Sequence, residues 1–145
     1  MGDRSPAPSS PGVSARMRRT GQRDTAAELA IRRELHRRGH RYRVDLRPSR
    51  KLRTRADVVF TRWRVAVFID GCFWHGCPEH WRAPKANAAW WREKVNANIA
   101  RDRRADARLA AEGWLVVRIW EHEQVAIGVD QIEKALDARR AGIAS

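Results

Sequence analysis

The stretch from Asp57 to His80 limits the fold more than any other part of the chain. It reads Asp57-Val-Val-Phe60, a short polar turn, Val65-Ala-Val-Phe-Ile-Asp70, then Gly71-Cys-Phe-Trp-His-Gly-Cys-Pro-Glu-His80. Two short β-branched and aromatic runs separated by a turn predict a hairpin, Val58–Phe60 with Val65–Ile69. With Trp63 and Arg64 as a two-residue turn, Asp57 falls directly opposite Asp70. Facing carboxylates repel, and a cation held between them removes that cost. Just beyond Asp70 come both cysteines of the chain, two histidines and a Phe-Trp pair. Core packing does not call for that concentration of ligand-type side chains.

The rest of the chain supplies a framework for this stretch. Residues 1–22 are rich in Pro, Ser, Ala and Arg and nearly devoid of large apolar side chains, so they read as a disordered basic arm. Residues 23–145 read as one domain. Thr25-Ala-Ala-Glu28 fits a capping box, opening a helix to Arg38 with Leu29, Ile31 and Leu35 on its buried side and Gly39 at its end. Tyr42, Val44 and Leu46 alternate with charged residues, the pattern of a half-buried strand. Trp90 to Glu112 is a long helix stopped by Gly113. Its buried stripe is Trp91, Val95, Ile99 and Leu109, with Asn98 and Asp102 on the same face. Polar groups on such a stripe need partners or a task. Trp114 to Trp120 reads as a buried strand, and Asp130 to Arg140 as a closing helix. This order of elements implies an α/β sheet covered on both faces.

Charge narrows the partners. Lys and Arg number 30 against 17 Asp and Glu, a formal net charge of +13, which favours a polyanion such as nucleic acid. From Arg41 to Ala56 seven basic residues stand against one acidic, so this region is expected to border a phosphate backbone. Arg53 and Arg55, with Asn98 of the long helix, are candidate DNA contacts. No apolar run approaches the length of a membrane span, and the N-terminus lacks the apolar core of a signal peptide. A soluble, cytoplasmic, monomeric protein is expected. In that setting two nearby cysteines read as metal ligands rather than a disulfide.

Cys72-x4-Cys77-x2-His80 suits tetrahedral Zn²⁺, with His122, just past the last strand, as the fourth ligand. Such a closed site would be structural. His75 is the alternative to His80 as ligand. Asp57 and Asp70, with the Ile69 main-chain carbonyl, suit Mg²⁺, and a neutral His75 nearby can take a proton from water. Phe73 and Trp74 beside the metal offer aromatic wedges against stacked bases. Filling the core is the competing reading for each tryptophan.

With its preceding strand, Gly71-Cys-Phe-Trp-His-Gly76 resembles the signature of the very short patch repair (Vsr) DNA mismatch endonucleases. The resemblance extends to Arg23-Asp-Thr25 with Glu28, to Trp91 through Asn98, to Arg101-Asp102, and to Gly113-Trp114 with Trp120-Glu121. It implies a restriction-endonuclease-like (PD-(D/E)xK-type) mixed sheet flanked by helices, with a structural zinc site. It also implies Mg²⁺-dependent nicking of one strand at T·G mismatches, which arise by deamination of 5-methylcytosine. On this basis Asp57 binds Mg²⁺ with the Ile69 carbonyl, and His75 is the general base. Glu28 and Asp102 are acids placed around the site, and Phe73, Trp74 and Trp91 form a wedge beside the mismatch. The basic arm then reaches around the duplex, and contact with mismatch-repair proteins is a further expectation.

The chain departs from the family pattern at several positions. His75-Gly-Cys-Pro-Glu-His80 stands where one common form continues His-Gly-His, and His122 stands where a cysteine is usual, an exchange that keeps the zinc ligand count. Asp70 replaces a histidine and either binds metal or positions His75. Thr54-Arg-Ala-Asp57 replaces Gly-Arg-Pro-Asp and keeps the aspartate. Two rivals remain: a nuclease of the same fold with another lesion or site, and a zinc-containing DNA-binding module without catalysis.

Overall fold

The computed structural model describes residues 25–72, 76–77 and 81–144, with side chains through residue 142. The expected arm lies outside these residues. Among the described residues, three helices and four strands follow in the order α1 (Ala26–Arg37), β1 (Arg43–Leu46), β2 (Ala56–Phe60), β3 (Val65–Asp70), α2 (Ala88–Ala111), β4 (Leu115–Trp120) and α3 (Val125–Ala144). The sheet order is β1-β2-β3-β4. The first three strands are antiparallel, and β4 joins β3 in parallel. This is a mixed α/β sheet whose two faces are both covered.

Strand alternation sorts the core. Val58, Phe60, Val65, Val67 and Ile119 point to one face, where Ile31 and Leu35 of α1 and Val129, Ile132 and Leu136 of α3 cover them. Val59, Ala66, Phe68 and Val116 point to the other, packed with Leu109 of α2. Each fully buried aliphatic or aromatic side chain in these layers contributes about 1.5–3 kcal/mol.

Local signals set the helix ends. Thr25 Oγ1 accepts from the Glu28 amide at 3.3 Å, satisfying one free donor of the first turn. Gly39 and Gly113 both have positive φ. The residues after them donate back to Leu35 and Leu109, the six-to-one bond of a Schellman end.

Five expectations need correction. Leu29 is 36% exposed and Val44 43% exposed, because α1 buries only the Glu28–Ile31–Leu35 line and β1 is an edge strand. β4 is also an edge strand, half-buried apart from Ile119. The closing helix starts at Val125 rather than Asp130. The hairpin register pairs Val58 with Val67 and Phe60 with Val65, since Thr61–Arg64 form a four-residue turn in which Arg64 takes φ 54°. Continuing that register sets Phe68 opposite Asp57, and Asp70 lies beyond, paired with Trp120 of β4.

Candidate active site and metal centre

The chemistry-bearing residues collect at one end of the sheet. Asp57 begins β2, Asp70 ends β3, Glu28 lies in the first turn of α1, and Glu121 and His122 follow β4. Although Asp57 and Asp70 do not face each other, they share this end. Asp57 Oδ2 accepts from the Ile69 amide at 2.7 Å, while its other oxygen takes no hydrogen bond from a described residue. Burial pushes the Asp57 carboxyl up to about 6, with the charges of Glu28 and Asp70 adding to the shift and the Ile69 amide and Arg32 opposing it. Glu28 is 5% exposed, and its Oε2 lies 3.4 Å from Arg32 Nη2.

Asp70 is engaged differently from the expectation. Its two oxygens accept from Arg118 Nη1 at 3.0 and 3.1 Å. The same guanidinium binds Asp106 of α2 through Nε and Nη2 and stands 3.9 Å from Asp102. Its carbon lies 4.4 Å above the Phe68 ring. Burial works against the Arg118 charge, but Asp106, Asp70 and Asp102 outweigh it and hold its pKa above the ordinary guanidinium value. Arg118 thus ties β3, β4 and α2 together directly behind the acidic end. Sequence reasoning missed it, although a lone arginine within Leu115-Val-Val-Arg-Ile-Trp120 was a signal that some acid must meet it.

The loop after β3 is fastened at several points. Glu121 donates its amide to the Asp70 carbonyl at 2.9 Å, and its carboxylate accepts from the Cys72 amide at 3.1 Å. Gly76 has φ 66°, and a Cβ there would fall 2.8 Å from Ile99 and 2.9 Å from Val95. Only glycine lets the loop sit this close to α2 in that conformation.

Cys72, Cys77 and His122 converge, with one donor atom of each within 4.8 Å of the others. His122 Nδ1 lies 3.2 Å from Cys72 Sγ and 3.7 Å from Cys77 Sγ. A tetrahedral zinc with ordinary Zn–S and Zn–N lengths separates its sulfur and nitrogen ligands by about 3.5 Å. The donor set therefore fits that ion in both chemistry and spacing. Burial, then Cys77 and Glu121, push the Cys72 thiol up to about 12.

Other expected residues fall out as follows. Phe73, Trp74, His75 and His80 lie outside the described residues. Trp91, on the predicted buried stripe and by resemblance a wedge, is 5% exposed and packs edge-on against Trp90 at 4.7 Å, so it is a core residue. Arg55 is bound to Asp45 through Nε and Nη2. Arg53 is exposed, and Asn98 is half-buried beside Arg101.

A family model for the DNA mismatch endonuclease Vsr matches residues 11–82. The chain is 42% identical over 133 residues to the type II nicking enzyme V.NaeI of Lentzea aerocolonigenes, covering 90% of this chain and 80% of that one. It is 38% identical over 129 residues to the type II nicking enzyme V.XorIIP of Xanthomonas oryzae pv. oryzae, covering 88% of each. It is 36% identical over 109 residues to the DNA mismatch endonuclease Vsr of Escherichia coli, covering 74% of this chain and 68% of that one. With these likenesses over most of its length, the chain belongs to the Vsr family of DNA mismatch endonucleases and is a DNA-cleaving hydrolase.

Proposed function

We propose that the protein nicks one strand of duplex DNA at a T·G mismatch, by Mg²⁺-dependent phosphodiester hydrolysis on a restriction-endonuclease-like fold. The observation that carries the reading is Asp57, a carboxylate with one oxygen unengaged by any described residue at a buried, acid-crowded end of the sheet. An open hard oxygen donor among like charges fits a divalent cation with oxygen ligands. Asp57 and the Ile69 carbonyl would hold it. When bound, Mg²⁺ polarises the phosphate and favours ionisation of water. His75 accepts the proton of the attacking water, whose oxygen bonds to phosphorus as the P–O ester bond breaks. Asp70, already balanced by Arg118, serves better to position the loop bearing His75 than to ligate directly.

Zn²⁺ held by Cys72, Cys77, His122 and His80 would add a closed crosslink between the loop and the end of β4. That crosslink would hold Phe73 and Trp74 rigid as wedges, which enter a mismatch more cheaply than an intact pair because less stacking is lost. The Vsr family match and the relative in Escherichia coli support mismatch recognition, and the relatives called nicking enzymes support cleavage of a single strand. Duplexes carrying every mismatch in several flanking contexts, assayed with Mg²⁺ and with EDTA, test the reading. The expected result is a nick at T·G only, and equal cleavage of matched duplex rejects it. Metal-independent binding with no nick in any duplex would favour the non-catalytic rival.

A further inference from the structure

Arg118 stands in β4 between Val117 and Ile119, with its guanidinium over the Phe68 ring. A charge in such a place costs solvation. Replacing a whole buried ion group by apolar residues of similar volume is often neutral or stabilising. Stability alone therefore does not call for this arginine and its acids, and the place of their contacts points to a task.

Those contacts converge on one peptide unit, the one joining Ile69 to Asp70. Ile69 donates its amide to Asp57 Oδ2 at 2.7 Å. In an extended strand the N–H and C=O of one residue point to the same side, so the Ile69 carbonyl also opens toward Asp57. The β2–β3 pairing runs from Phe60–Val65 to Val58–Val67, and Ile69 lies two residues past its last rung. Asp70 turns its backbone the other way, and its carbonyl accepts from the Glu121 amide at 2.9 Å. Its carboxylate meets Arg118 Nη1 through both oxygens, at 3.0 and 3.1 Å. The other edge of the guanidinium is anchored on Asp106 of α2, at 2.7 to 3.0 Å. Asp70 is thus held by main chain and side chain, and the plane of the Ile69–Asp70 peptide is held with it. A strand end past its last rung is otherwise among the first parts to lose order.

We propose that Arg118 is a positioning residue for the hydrolysis: by clamping Asp70 it keeps the Ile69 carbonyl beside Asp57, so that the two oxygens take one divalent cation together. The inference rests on the Mg²⁺ reading given above. Arg118 touches neither metal nor DNA in this scheme, and its effect passes through Asp70. The family pattern has a histidine at position 70, which offers a guanidinium no pair of acceptor oxygens. Asp70 and Arg118 therefore act as a unit in this chain.

The test compares the full-length parent with Arg118→Met, Arg118→Lys and Asp70→Asn, well below every melting point. Three quantities are read: the Mg²⁺ concentration that half-saturates nicking of a T·G duplex, Mn²⁺ binding without DNA by electron paramagnetic resonance, and duplex affinity in EDTA. Loss of a residue that orients a metal ligand typically costs 10–100-fold in metal affinity. Arg118→Met and Asp70→Asn should each weaken Mn²⁺ binding by about 10-fold and raise the half-saturating Mg²⁺ by a similar factor. Duplex affinity in EDTA should stay near parent. Arg118→Lys keeps the charge without the two-pronged grip and should fall between. A merely structural role would reduce the active fraction and leave the metal dependence unmoved. Should Arg118→Met fail to fold, Asp70→Asn, which keeps the arginine and one carbonyl acceptor, decides the matter. Parental metal affinity in the folded variants overturns this inference while leaving the Mg²⁺ reading intact. Tighter metal binding by Arg118→Met also overturns it, because a released Asp70 would then be a direct ligand. A parent that nicks without Mg²⁺ and binds no Mn²⁺ overturns the metal reading, and this inference with it.

Discussion

Replacing Arg118 with methionine should destabilise the protein by about 3 kcal/mol. Its partner Asp70 has a side chain only 8% exposed, and both its carboxylate oxygens accept from this guanidinium. Removing one member of a buried pair costs about 3–5 kcal/mol, because the remaining charge loses the partner that offset its burial. The lower figure applies, since Asp102 and Asp106 are 25% and 34% exposed and regain water when the arginine goes. For a chain of this size each kcal/mol lowers Tm by about 2–4 °C, giving a fall of about 10 °C. Asp70→Asn alone should cost about 1 kcal/mol, because a neutral amide is less costly to bury than an unpaired charge. The double variant should recover much of the loss, with a coupling of roughly 2 kcal/mol in the thermodynamic cycle. Thermal and urea unfolding of the four proteins at neutral pH measures this. A Tm for Arg118→Met within about 2 °C of parent, or strict additivity, would refute the reasoning.

Gly76→Ala should cost about 2–4 kcal/mol, the sum of left-handed backbone strain and overlap with Val95 and Ile99. Unchanged stability would mean that the loop does not rest on α2. Purified protein should carry one zinc per chain, and His122→Ala should release it and lower Tm; an active protein without zinc rejects the assignment. In acid, Glu34 is held down to about 2 by Arg37 and Arg38, and Glu133 is lowered by His40 and Arg38. Both carboxyls are depressed, so their stabilisation is full above the unfolded glutamate value near ~4.3 and fades as pH falls below it. Glu34→Gln/Glu133→Gln should flatten the stability profile over that acid window, and an unaltered profile contradicts a stabilising role for the ion pairs of Arg38 with Glu34 and Glu133.

Much of this arrangement was legible in the residues because the signals were local. Two β-branched runs gave β2 and β3, and Thr25 with Gly39 gave the limits of α1. The spacing of Cys72 and Cys77, with His122 just past a strand, pointed to the three side chains that converge as a group able to hold a metal ion. What escaped depended on tertiary geometry. The register turned on whether Thr61 and Arg62 continued the strands or joined the turn, and Arg64 could adopt a left-handed conformation that no sequence rule requires. α3 begins at Val125, ahead of the expected Asp130, and takes in Gly128. That glycine lies inside the helix where a Cβ would meet Ile31 at 3.1 Å and Ile119 at 3.2 Å, so it permits close packing rather than ending the helix. Arg118 and Asp70 stand 48 residues apart and meet only through the parallel β3–β4 pairing. Trp91 lies inward, as its place on the buried stripe of the long helix predicts, and only the family resemblance made it a wedge.

The central claim is that the acid-crowded end of the sheet cleaves DNA through Asp57. The most direct measurement is single-strand cleavage of a T·G duplex by Asp57→Asn in Mg²⁺, alongside its melting temperature and its affinity for the same duplex in EDTA. The expected result is a folded protein that binds DNA near the parental level and produces no nick. Parental nicking by Asp57→Asn would contradict the claim.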